Sequence, residues 1–157
     1  MSKNIRLDSF AVIPGYVLAL GLLCIWLTTQ SSGRRRIITG LAAVSVIVAA
    51  LFDYLENKRM RDFLDGSRTT VAGIASASSL KWIFLFLVVG LLGRKLWTIK
   101  SSLIKWIGLY LILTAAVGAI GVLVLRVAVV WGFWLMGIGL LLVGLSVIFF
   151  PNRFRET

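Results

Sequence analysis

"LIKWIGLYLILTAAVGAIGVLVLRVAVVWGFWLMGIGLLLVGLSVIFF", Leu103 to Phe150, runs for 48 residues with Lys105 and Arg126 as its only charges. As one helix it would be about 72 Å long, against about 30 Å for the hydrocarbon core of a bilayer. The stretch must therefore fold back on itself. It reads as two crossings, 104–125 and 131–150, joined by a tight turn near Arg126 to Val130. Trp131 and Trp134 suit the membrane interface beside that turn, and Pro151 ends the second crossing ahead of the polar "NRFRET".

Working back toward the N-terminus, three more apolar stretches appear. A first span at 11–29 has Pro14 in its opening turn, where the missing N–H costs little. Its apolar run is long for a signal-peptide core and no small-x-small cleavage site follows, so it is expected to be a retained span. "QSSGRRR" then reads as a turn carrying Arg34, Arg35 and Arg36. Span two covers 37–57. The helical pattern continues past it, because Met60, Phe63 and Leu64 keep i, i+3, i+4 spacing among charges. That extension is expected to lie at the interface and to stop at Asp65-Gly66, with Ser67 as the next N-cap.

Span three is constrained by length. Between Lys81 and Arg94 the run "WIFLFLVVGLLG" rises only about 18 Å as helix. A full crossing must borrow from the milder "TTVAGIASASSL", giving 71–93 and placing Lys81 near mid-depth. The alternative is a short re-entrant segment. The full span is the preferred reading.

The expected fold is therefore an all-α integral membrane protein, one helical domain over 1–157. It is a bundle of five transmembrane helices with an interfacial extension of helix two. Composition agrees: 59% of the 157 residues are hydrophobic, 15% are charged, and mean hydropathy is +0.97. The net charge of +11 comes from Lys and Arg sitting mostly at the ends of apolar runs. Anionic lipid headgroups are then the expected partners, and nucleic acid is not, since no basic helix with interleaved aromatics exists. Five crossings put the termini on opposite sides. The 17 basic residues then divide eight to nine, leaning slightly toward an N-terminus outside. A multi-pass position in a bacterial cytoplasmic membrane is expected.

Chemistry has few places to reside. The chain has no histidine, which removes a common haem and zinc ligand and all His-based acid–base catalysis, and Cys24 is the only cysteine. No cofactor and no metal site is expected. "DFLDGSR", Asp62 to Arg68, resembles the opening of the CDP-alcohol phosphotransferase motif over Asp62 to Gly66. Thr69 and Thr70 stand where that family continues with Ala-Arg, and Glu156 is the only acid after Asp65. The several carboxylates that its metal ions require are missing.

The sharper candidate lies on helix two. Ser45, Ala49, Asp53 and Asn57 recur every four residues and so share one face. Small residues on it invite a close neighbouring helix, and an acid inside a membrane normally faces protein and finds a partner. Glu56 sits beside Asp53. Five-helix topology brings Lys81 and Arg126 to the same side, and Ser76 and Ser79 add hydroxyls. Asp53, Glu56, Asn57, Ser76, Ser79, Lys81 and Arg126 thus form a candidate polar cluster.

Two functions follow. If the cluster only locks helices together, the chain is a non-enzymatic accessory or assembly subunit of a membrane complex. Its glycine-rich faces (Ala115 to Gly121, and Gly132, Gly137, Gly139 and Gly144) would then pack within the chain or against other membrane proteins. The alternative is a carrier, or a lipid-handling protein or enzyme, that uses an intramembrane carboxylate site at Asp53 and Glu56. A cavity opening onto those carboxylates discriminates the two, because a closed, dry ion pair needs none.

Overall fold

Local chemistry sets where each helix starts and stops. Pro14 opens α1, Ile13–Thr29. Gly33 has φ of +53°, in the left-handed region that only glycine adopts freely, so a single residue redirects the chain. α2, Gly33–Leu64, begins there. At its far end the Asp65 N–H donates to the Arg61 carbonyl at 2.9 Å, and Gly66 leaves the helix with φ of +78°. The hydroxyl of Thr70 accepts the Gly73 N–H at 3.1 Å and caps α3, Val71–Trp97. α4 covers Ser102–Leu123 and α5 covers Arg126–Phe149, and a 3-10 turn, Pro151–Phe154, follows.

The structure is a computed structural model. It describes residues 11–66, 69–124 and 126–154, with the side chains of residues 125–128 and 153 outside that set. Among the described residues there are five α-helices and no strand. Four of them are long and apolar enough to cross a membrane, and the fifth, α1, is a shorter apolar helix of 17 residues.

Several boundaries differ from those expected. Because Gly33 makes the first turn almost alone, Arg34, Arg35 and Arg36 belong to the first turn of α2 rather than to a loop. α3 runs on to Trp97, since Arg94 and Lys95 are good helix formers and favourable at a helix C-terminus. The break between the last two helices is earlier than Arg126 to Val130. The Val124 N–H closes on the Ile120 carbonyl at 2.8 Å, and α5 has begun by Arg126. No glycine or proline lies between Arg126 and Val130 to interrupt it. Thr70, not Ser67, caps α3, and Ser67 lies outside the described residues. The polar continuation expected of helix two is present, as α2 is unbroken from Gly33 to Leu64.

Each helix packs on the next in sequence. Short connections make neighbours antiparallel, and the contacts agree. Thr28 meets Thr39, Phe52 stacks on Phe84, and Tyr110 donates to the Leu135 carbonyl. The closest approach is between α3 and α4, where a Cβ on Gly108 would sit 2.7 Å from the Gly93 carbonyl oxygen. Further along, Gly118 and Gly132 lie against the ring of Phe86, and Gly139 against Tyr110 and Leu111. Much of the glycine-rich surface of α4 and α5 is thus filled from within. Gly137 and Gly144 differ: a Cβ there meets nothing within 4 Å.

α1 and α5 have no comparable interface. Among the described residues, the last turn bridges them at one end, where Phe154 is buried and its ring meets Trp26 edge-on at 5.4 Å. A cleft over α3 separates them elsewhere.

Glycine contacts yield a controlled test. Gly108→Ala drives a methyl into the α3 backbone and should cost about 1–3 kcal/mol. Gly137→Ala enters open space and should be neutral or slightly stabilising. Unfolding of the two variants in detergent measures the difference. Equal stability would remove the close α3–α4 contact.

Candidate functional site

The four-residue spacing on α2 produces a buried polar stripe. Ser45, Ala49, Asp53 and Asn57 are all buried, and so is Glu56. Ser45 turns back to the Leu41 carbonyl at 2.9 Å and needs no partner from another helix. Asp53 and Glu56 do, because an ionised carboxylate taken from water requires a charge or donor.

Lys81 of α3 meets both. Its Nζ lies 3.0 Å from Asp53 Oδ1 and donates to it, and lies 2.6 Å from Glu56 Oε2. The Glu56 contact is a second ion pair made by the same ammonium. The hydroxyl of Tyr16, from α1, donates to Asp53 Oδ2 at 3.1 Å. Three helices therefore converge on one carboxylate. The Lys81 ammonium also lies 5.3 Å from the centroid of the Trp82 ring, within cation–π range.

The other expected members lie differently. Asn57 is buried one turn beyond Asp53 and is engaged in the bundle. Ser76 belongs to a separate group. Its hydroxyl donates to the Gly73 carbonyl at 2.9 Å, and Arg59 of α2 reaches both Gly73 and Ser76. Ser79 lines a different recess, of about 410 Å³, with Ser78, Val122 and Val130. The side chain of Arg126 lies outside the described residues. Lys95, a charge at the end of an apolar run, is buried at 1% exposure and has an interaction partner.

A cavity of about 720 Å³ opens onto the ion pair. It occupies the cleft between α1 and α5. Tyr16, Leu20 and Leu23 line one wall, Met136, Leu140 and Val147 the other, and Trp82 and Leu85 the floor. Asp53 and Lys81 are on its surface, and Glu56 is one step behind them. From Phe133 to Ile148 the α5 wall is about 22 Å long. Trp82 and Phe133 meet edge-on at 5.7 Å and stand between this cavity and the smaller recess, which both also line. The arrangement is that of a small-molecule site: concave, mostly apolar, with a few convergent polar groups.

Two features were not read from the sequence. Tyr16 carried a signal, as a hydroxyl one turn into an otherwise apolar span. The cavity carried none, because it arises from which helices fail to touch. Among the described residues no group of His, Cys, Asp or Glu is placed to hold a metal ion. Compared with protein-family models, curated proteins and solved structures, the chain matches none.

The ion pair predicts coupled stabilities. Asp53→Asn strands part of the Lys81 charge, and Lys81→Met leaves two carboxylates facing each other. Each should destabilise by about 3–5 kcal/mol. The double variant should recover at least about 0.5 kcal/mol relative to the sum. Unfolding of the four proteins in detergent checks this, and strict additivity would remove the contact.

Proposed function

We propose that this chain is an integral membrane protein that binds an amphiphilic molecule, with its apolar chain in the α1–α5 cleft and its polar end at Tyr16, Asp53 and Lys81. The observation that carries the reading is the coincidence of an apolar cavity with a buried ion pair on its wall.

Membrane insertion is supported by α2, whose amphipathicity is inverted. Ile37, Leu41, Val44, Ile47 and Leu51 follow helical spacing and are each more than half exposed. The opposite face buries Thr39, Ala42, Ser45, Ala49 and Asp53. A soluble domain buries its large apolar residues and rarely exposes a continuous apolar patch beyond a few hundred Å². In a bilayer the lipid chains take the large residues and the small ones pack inside. Arg34, Arg35 and Arg36 then lie at one bundle end, suited to anionic headgroups. A bacterial cytoplasmic membrane remains the proposed location.

The accessory-subunit reading is favoured by a different observation. Gly15, Gly21, Gly40 and Gly137 have open space where a Cβ would go, as a surface for another helix would. It leaves the cavity and its charged wall unexplained, so it stands second.

Two experiments test the proposal. With five crossings, reporters fused at Ser2 and Thr157 should report opposite compartments, and a shared compartment would overturn that count. In native mass spectrometry the wild-type protein should retain bound lipid-like mass after mild detergent exchange. Gly144→Leu places a side chain into the cleft, where nothing lies within 4 Å of the new Cβ, and should lose most of that mass while remaining folded. Equal retention by both proteins would exclude the cleft as the site.

A further inference from the structure

We infer that the amphiphile carries an uncharged, hydroxyl-bearing headgroup, and that the recess lined by Ser78 and Ser79 receives it. This assignment deepens the cleft reading and rests on it.

The recess and the cleft are two stretches of one groove. Ala75, Ser78, Trp82 and Leu85 follow one another by three or four residues and so share a face of α3. Val129, Phe133, Met136 and Leu140 do the same on α5. The first members of each row line the recess and the last line the cleft, while Trp82 and Phe133 line both. From Val129 to Ile148 the α5 wall of the whole groove is about 28 Å long, close to the hydrocarbon thickness of about 30 Å. Lys81 belongs to the same α3 face as Ser78. A headgroup at the ion pair is therefore one helical turn, about 5 Å, from the recess.

What each polar group already does decides the chemistry. Lys81 is held 3.0 Å from Asp53 and 2.6 Å from Glu56, and Tyr16 donates to Asp53 at 3.1 Å. An ionic headgroup of either sign would have to compete with those contacts. In the recess it would find no counter-charge, since no ionisable side chain is among the described residues that line it. A charge taken from water without a partner is costly. Ser78 and Ser79 stand apart from the ion pair. Among the described residues neither hydroxyl has a hydrogen-bond partner, whereas Ser76 on the same helix turns back to the Gly73 carbonyl. A serine hydroxyl both donates and accepts, which matches the hydroxyl and ester groups of a neutral headgroup.

Size agrees with that chemistry. The recess holds about 410 Å³, against about 30 Å³ for one water in the liquid, so it takes a unit of several heavy atoms rather than a lone hydroxyl. Val122, Val129 and Val130, with the rings of Trp82 and Phe133, suit the carbon skeleton of such a unit. A chain in the cleft, a polar junction beside Lys81 and a polyol in the recess fill the groove from end to end.

Five compounds with one dodecyl or dodecanoyl chain separate the alternatives. Each is titrated calorimetrically into the protein in phosphatidylcholine nanodiscs, with empty nanodiscs subtracted. Monododecanoylglycerol and dodecyl glucoside carry hydroxyls on glycerol and on a sugar. Methyl dodecanoate has none, and dodecanoate and dodecylammonium carry the two charges. At least one hydroxylated compound should bind about tenfold more tightly than methyl dodecanoate and than either ion, and the tighter of the two identifies the source. Ser78→Ala combined with Ser79→Ala should erase that advantage while leaving methyl dodecanoate unchanged. Ala75→Leu narrows the recess without touching the cleft and should act in the same way.

Hydroxylated compounds that bind no better than methyl dodecanoate, a preference for either ion, or a hydroxyl advantage that survives the double serine variant overturns the inference yet leaves the cleft reading standing. Failure of every compound to bind, or binding unaffected by Gly144→Leu, brings down the cleft reading itself. The five-compound comparison uses only the wild-type chain, so misfolding of a variant does not blunt it.

Discussion

Lys81 carries one positive charge in the interior of a helical bundle, and it must be met there by opposite charge. That requirement fixes more of the structure than any other contact. Lys81 lies in the N-terminal half of α3, and Asp53 and Glu56 lie in the C-terminal half of α2. Bringing them within 3.0 Å and 2.6 Å sets the antiparallel register of the two helices. The Phe52–Phe84 stack at 5.9 Å falls in the same register beside it. Tyr16 draws α1 to the same carboxylate, and the Thr28–Thr39 hydroxyl pair at 2.8 Å aligns the other end of α1 with α2. Half of the bundle is therefore indexed by polar contacts.

The other half is indexed by shape. α3, α4 and α5 approach through Gly93 on Gly108, Gly118 and Gly132 on Phe86, and Gly139 on Tyr110 and Leu111. Such contacts need no charge, and small residues let helix backbones come close enough for dispersion to accumulate. The cleft follows from combining the two devices. Polar contacts hold α1 to α2, and close packing holds α5 to α4. Among the described residues, the Phe154–Trp26 ring contact bridges α1 and the C-terminal end of α5. The opening is pinned at that end and polar toward the other.

What the sequence revealed depended on the physics involved. Helix number was legible because Leu103 to Phe150 is too long for one crossing, a matter of length alone. That Asp53 needs a basic partner was legible because a charge in an apolar run admits few solutions, but the choice between Lys81 and Arg126 was left open by the sequence. Boundaries were less so. The break at Val124 carries neither glycine nor proline, and the three arginines after Gly33 continue a helix that their charge had suggested would be a loop. Ser76 and Ser79 share Lys81's helix, yet the helical rotation between them sends one toward Arg59 and the other to a separate recess. Lys95 looked like a flanking charge and is buried, since sequence spacing does not reveal depth within a bundle. The cavity is a property of helices that do not touch, and no local pattern encodes that.

The position of the ion pair separates a lock from a site. A buried ion pair is a costly way to fasten two helices, because desolvation offsets most of the attraction, and apolar packing of equal volume is often as stable or better. If fastening were the whole role, the pair would gain most when enclosed by tightly packed side chains, as Phe86 is between Gly118 and Gly132. Instead Asp53 and Lys81 lie on the wall of the cavity of about 720 Å³, where packing partners are missing on one side. Exposure to a cleft weakens a fastening and is required of a headgroup site. An ion pair that is inefficient as a lock and accessible from an apolar cavity is the observation on which the proposed amphiphile site rests.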